Sequence, residues 1–118
     1  MNLHAKKSIH KDTNGVEVFC VSRCSAANDY EIAAGVHRFA VHFQNGPVHE
    51  NGINGVTNEA LLAILICRTE YLNTLMASPL NETALAGMRQ ALEAFESRTK
   101  KRRDAGVEGT NIPLPDQA

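Results

Sequence analysis

Three Asn-Gly pairs within eleven residues, Asn45-Gly46, Asn51-Gly52 and Asn54-Gly55, constrain this chain more tightly than any other feature. Asn-Gly marks tight turns because both residues tolerate positive φ. The pairs lie between an extended, alternating segment and the first strongly helical one. They predict a hairpin turn, a short return strand through Val48 and Glu50, and a tight turn into a helix at Thr57. Everything before them reads as sheet, and everything after them as two helices.

The clearest strand is residues 36–43. Phe39, Val41 and Phe43 fall on one face at period two, and Arg38, Ala40 and His42 on the other. That alternation implies an antiparallel sheet with one apolar and one polar face. Val16-Glu-Val-Phe-Cys-Val21 is a second strand candidate, set off by a turn at Thr13-Asn14-Gly15. Tyr30-Glu-Ile32 begins another extended segment that Gly35 is expected to interrupt or bulge. Residues 22–28 read as a connection. Residues 1–12 read as a mobile tail or a loosely paired edge strand. A sheet this small needs a helix or another chain over its apolar face.

Thr57 suits an N-cap, with Glu59 in the first turn where negative charge complements the helix dipole. Leu61, Leu62, Ile64, Leu65 and Ile66 then cover more than one side of the helix. A helix apolar nearly all round must be buried on several sides, which in a chain of 118 residues argues for a covering subunit. The segment 73–79 ends this helix, since Pro79 disfavours helical geometry in the residue before it. Asn81 is a candidate N-cap for the second helix, with Ser78 and Leu80 as alternative boundaries. Leu85, Met88, Leu92 and Phe95 form one apolar stripe. Gly87 within that helix predicts a close contact, since it costs about 1 kcal/mol against alanine. Gly106 is a natural left-handed terminus. Residues 111–118, with two prolines, read as a flexible tail.

Length argues for one domain. The net charge of −1 gives no global basic field to attract nucleic acid. No run of eighteen apolar residues is present, and the first residues lack a signal-peptide pattern, so a cytoplasmic protein is the expectation. Three cysteines, Cys20, Cys24 and Cys67, suit neither a disulfide scaffold nor a zinc ribbon. A zinc site at Cys20 and Cys24 would need two further ligands from His37, His42 or His49. His37 and His42 are five apart and so lie on opposite faces of a regular strand. No metal, cofactor or catalytic set is expected, because no nucleophile, base and orienting group fall together.

The basic end of the second helix carries more information. Arg98-Thr-Lys-Lys-Arg-Arg103 holds five cations in six positions. Arg98 and Arg102 are i and i+4, on one face, where two forked donors can converge on one anion. The plainer reading is cations that complement the helix C-terminus. Tyr71 and Asn81 bracket the loop between the helices. An aromatic face, an amide and two arginines suit stacking, base-edge hydrogen bonding and phosphate neutralisation of a purine nucleotide. Asn81 and Arg98 are about 25 Å apart along one helix, so they can share a small ligand only across a subunit interface.

The run from Phe43-Gln-Asn-Gly-Pro through Asn54-Gly-Val-Thr-Asn-Glu-Ala-Leu-Leu-Ala-Ile64 resembles the hairpin-and-helix core of the phage Thoeris anti-defence sponges. Arg98-Thr through Arg102, and Gly106-Val-Glu-Gly-Thr110, resemble that family's C-terminal pattern. The resemblance covers residues 36–110. It implies an α+β fold, a small antiparallel sheet followed by two antiparallel helices, assembled as a homo-oligomer, a hexamer, in the cytoplasm of the infected bacterial host. It also implies binding of glycocyclic ADP-ribose without degradation; some members sequester cyclic di- or trinucleotides at separate sites. By spacing, the family's ligand-binding positions correspond to Tyr71, Asn81, Arg98 and Arg102. The aromatic is often phenylalanine in the family, so Tyr71 departs from it, and its hydroxyl needs a partner or water. The interhelix loop 72–80 also differs from the common family version. Two other readings compete: a nucleic-acid-binding phage accessory protein that uses the basic helix end, and an enzyme that cleaves a nucleotide signal.

Overall fold

A computed structural model describes residues 5–23 and 26–112. The chain divides into two compact units, Met1–Val56 and Thr57–Ala118, where length alone argues for one domain. The boundary falls where period-two alternation gives way to helical periodicity. Together the elements make an α+β fold, a four-stranded antiparallel sheet followed by helices.

The first unit is a meander of four strands, β1 (Ala5–Lys11), β2 (Glu17–Arg23), β3 (Ala26–Ala34) and β4 (His37–His42), in the order β1-β2-β3-β4. β1 takes up most of the segment read as a tail or edge strand, and it pairs with β2 from Lys11↔Glu17 to Ala5↔Ser22. The β1–β2 turn follows from Asp12, whose carboxylate accepts from the backbone N–H groups of Asn14 (2.8 Å) and Val16 (3.0 Å). Gly15 takes φ 87° there, as the Asn-Gly signal requires. β3 begins at Ala26, inside the stretch read as a connection. Gly35 neither interrupts nor bulges a strand. With Val36 it forms the two-residue turn between the paired ends Ala34 and His37, and its φ of 63° suits a turn that matches strand twist.

The register sorts the faces. Val18↔Ile32↔Phe39 and Cys20↔Tyr30↔Val41 run across one face, and Phe43 extends it, meeting the Tyr30 ring edge-on at 5.6 Å. Burial pushes the Tyr30 hydroxyl above its ordinary pKa, with neighbouring Cys20 adding to the effect. The other face carries ion pairs, Lys6 with Glu31 at 3.0 Å and His42 with Asp29 at 2.6 Å. Arg38, Ala40 and His42 do lie opposite Phe39 and Val41, as period two demands.

The Asn-Gly segment does not return as a strand. Val48–Asn51 is a single helical turn, α1, because Pro47 fits an N-terminal position and its carbonyl accepts from the Asn51 N–H at 2.8 Å. Gly52, at φ 69°, ends it. The chain then comes back beside β4 only at Val56, in a parallel bridge to Phe43. Side-chain amides hold this loop shut. Gln44 donates to the carbonyls of Gly46 (3.2 Å) and Gly52 (2.8 Å) and accepts from the Asn54 N–H (2.9 Å). Asn54 accepts from the Asn45 N–H and donates to its carbonyl, both at 2.8 Å.

The second unit is a helical hairpin, α2 (Asn58–Leu75) and α3 (Pro79–Asp104). Thr57 caps α2 by accepting from the Ala60 N–H at 3.1 Å. α2 runs on to Leu75, one turn beyond the expected break, because the restriction imposed by proline reaches only Ser78. Ser78, the alternative boundary, is the N-cap of α3, and Asn81 sits in the first turn. The stripe Leu85, Met88, Leu92 and Phe95 is the least exposed side of α3, with Leu85 only 3% exposed. No described helix is long and apolar enough to cross a membrane.

Gly87 does not mark a close contact: a Cβ built there meets nothing within 4 Å. Gly87→Ala is therefore expected to stabilise the chain by about 1 kcal/mol, the helix-propensity difference, read from the urea midpoint. A loss of stability would place that face against another chain.

Candidate functional site

Two helices joined by the short link 76–78 must lie antiparallel. Two bridges fix their register. Arg89 on α3 donates to Glu70 on α2 at 2.8 Å, and Asn73 donates to Glu82 at 2.7 Å. This register puts Tyr71 and Asn81 at the loop end of the hairpin and Arg98 and Arg102 at the far end, alongside the start of α2. A cleft at that far end is lined by Glu59, Glu96, Thr99 and Arg103. The four residues thus form two half-sites in a single chain, about 25 Å apart at 1.5 Å per residue.

At the loop end, Tyr71 is 55% exposed. It lines a shallow apolar depression with Ala63, Ile64, Cys67 and Arg68. An exposed ring on a rigid helix can stack on a flat aromatic ligand. Asn81 is already engaged, since its amide donates to the Asn73 side-chain oxygen and to the Met76 carbonyl, both at 3.2 Å. Asn73 accepts in turn from the Ser78 N–H at 3.1 Å. Asn73, Asn81 and Glu82 therefore set the shape of the interhelix loop. Sequence reading missed Asn73, and nothing in the local pattern distinguishes it from any polar residue near a helix end.

At the far end the two arginines differ. Arg98 is exposed on α3. The Arg102 side chain is only 13% exposed. It donates to the carbonyls of Val107 (3.0 Å), Thr110 (2.8 Å) and Ile112 (3.0 Å) and lies 3.5 Å from the Glu108 carboxylate. The loop it holds starts from a two-bond helix cap, Gly106 N–H to the Arg103 carbonyl and Val107 N–H to the Arg102 carbonyl. Gly106 takes φ 75° in that cap, as its sequence position predicts. Lys100 pairs with Asp104 at 3.0 Å, one turn on. Part of the cation run thus serves the helix end itself.

The remaining candidates lie elsewhere. Cys20 is on the sheet beside Tyr30, Cys67 is exposed on α2, and Cys24 lies outside the described residues. His37 and His42 fall on opposite faces of β4, as their spacing requires.

α2 presents a second apolar side away from α3. Ile64 is 62% exposed, and Leu65, Tyr71, Leu72 and Leu75 are exposed as well. Among the described residues, only Val21 and Leu85 are buried apolar side chains. A contiguous exposed apolar stripe of this kind marks an interaction surface.

No family model matches the chain. The chain is 43% identical, over 72 residues that make up 60% of its length, to a curated protein of Bacillus phage SBSphiJ7, Thoeris anti-defense 1. It spans about half, 51%, of the length of that relative. Over these 72 residues the chain belongs to the Thoeris anti-defence family.

Proposed function

We propose that this chain is a phage anti-defence protein that binds a host-made cyclic nucleotide signal, glycocyclic ADP-ribose, and holds it without degrading it. The observation that carries the reading is the 43% identity to a Thoeris anti-defense protein. The chemistry of the two half-sites supports it. Tyr71 offers a stacking face, Asn81 an amide, and the α3 end guanidinium groups suited to a pyrophosphate. Because the half-sites lie at opposite ends of the hairpin, a complete site needs a second copy that brings its far end to this chain's loop end. The exposed apolar side of α2 gives such copies a surface to bury, and a hexamer is the assembly the family resemblance implies. Cyclic di- or trinucleotides are further ligands of the same class. The protein acts in the host cytoplasm and is not an enzyme.

Ligand recovery tests the reading. Protein mixed with glycocyclic ADP-ribose is removed by filtration, and the filtrate is chromatographed before and after heating the mixture. The ligand is expected to vanish from the first filtrate and return intact in the second. Conversion to a new peak would make the protein an enzyme. Ligand that never vanishes would direct attention to cyclic oligonucleotides or to nucleic acid, for which a steep loss of affinity with salt is the signature.

A further inference from the structure

Arg98 and Arg102 have the same spacing logic and opposite surroundings. A guanidinium has five N–H donors in a planar fork and no acceptor. Those of Arg102 reach three backbone carbonyls, of Val107, Thr110 and Ile112, at 2.8–3.0 Å, and Nε faces Glu108 at 3.5 Å. Forked recognition of a pyrophosphate needs two parallel donors from one edge of the fork, and Arg102 can supply them only by releasing the loop. The three carbonyls also span six residues, Val107 to Ile112, so one side chain fixes the whole segment. Gly109 at φ 79° completes the bend, a conformation that a β-branched residue resists. Thr110 adds its own N–H to the Val107 carbonyl at 3.1 Å, and its hydroxyl accepts from the Ile112 N–H at 3.2 Å.

We infer that Arg102 is a positioning residue: it ties the loop 107–112 to the end of α3 and serves nucleotide binding through that loop, not as an ion-pair partner of the ligand. This rests on the proposed function. It divides the arginine pair by role, with Arg98 facing the anion and Arg102 shaping the wall beside it. A lysine keeps the charge but lacks the fork, so Arg102→Lys separates the roles where alanine alone does not.

The test uses the full chain and glycocyclic ADP-ribose as the probe, with four proteins: Arg102→Ala, Arg102→Lys, Gly109→Val and the double variant Arg102→Ala/Gly109→Val. Amide exchange at Thr110 and Ile112 and equilibrium affinity are read on each. Arg102→Ala and Arg102→Lys are expected to speed exchange in the loop and to weaken binding alike, by roughly 10- to 100-fold. Gly109→Val, which changes no charge, is expected to reproduce both effects, and the double variant to bind no worse than either single one. The inference is overturned if Arg102→Lys binds like wild type, if Gly109→Val loosens the loop but leaves affinity intact, or if Arg102→Ala leaves exchange unchanged. Wild-type protein that takes up no nucleotide overturns the functional reading, and the ligand role given to the loop falls with it. The exchange data then still decide whether Arg102 clamps the loop.

Discussion

Gly55→Ala is expected to destabilise the sheet unit by about 3 kcal/mol or more, through overpacking and lost backbone hydrogen bonds. A Cβ at this position would sit 2.4 Å from the carbonyl carbon of Phe43 and 2.6 Å from both its oxygen and the Gln44 nitrogen. These are backbone atoms, so no side chain can rotate out of the way. The clash falls where the Gln44 N–H donates to the Val56 carbonyl at 3.0 Å and the Val56 N–H donates to the His42 carbonyl at 2.8 Å. Moving the chains apart costs both bonds and loosens the Gln44–Asn54 clasp. Gly52→Ala is the control. Gly52 has φ 69° with open space around a Cβ, so alanine there incurs only the left-handed penalty, about 1–2 kcal/mol. Urea unfolding followed by circular dichroism measures both. Equal effects at the two glycines would show that close backbone approach at Gly55 is not what holds the loop.

Arg98→Ala is expected to weaken binding of glycocyclic ADP-ribose by about 2–5 kcal/mol, the range for removing one partner of a desolvated, hydrogen-bonded charge pair. That is a loss of roughly 30-fold or more. The expectation rests on the proposed function and on the place of Arg98, exposed on α3 at the end of the hairpin that a second copy must approach. Lys101→Ala removes the same charge from the last turn of the same helix. As an exposed charge it should cost about 1 kcal/mol or less. Isothermal titration of both variants gives the comparison. Matching losses would mean that the ligand senses only the general field of the helix end. Unchanged affinity in Arg98→Ala would remove that residue from the site.

Local chemistry determined much of this protein. Thr57 had to cap a helix, Gly106 had to end one, and the period-two run at 36–43 had to be a strand with Phe39 and Val41 on one face, because each of these depends on groups a few residues apart. The same holds for the candidate site: Tyr71, Asn81, Arg98 and Arg102 are legible as residue types at helical spacings, and their separation along one chain follows from helix rise alone. Three Asn-Gly pairs announced a closely dictated loop, yet only the tertiary structure decided its course. Val48–Asn51 became a helical turn instead of a return strand, because Gln44 and Asn54 bind backbone groups up to ten residues away, and no local pattern encodes which amide meets which carbonyl. Gly87 and Gly55 look alike as letters, but one faces open space and the other a neighbouring backbone. Arg98 and Arg102 look alike too. Only the fold back of residues 107–112 gave Arg102 three carbonyls to hold, since a hydrogen-bond acceptor is chosen by position in space and not by position in the chain.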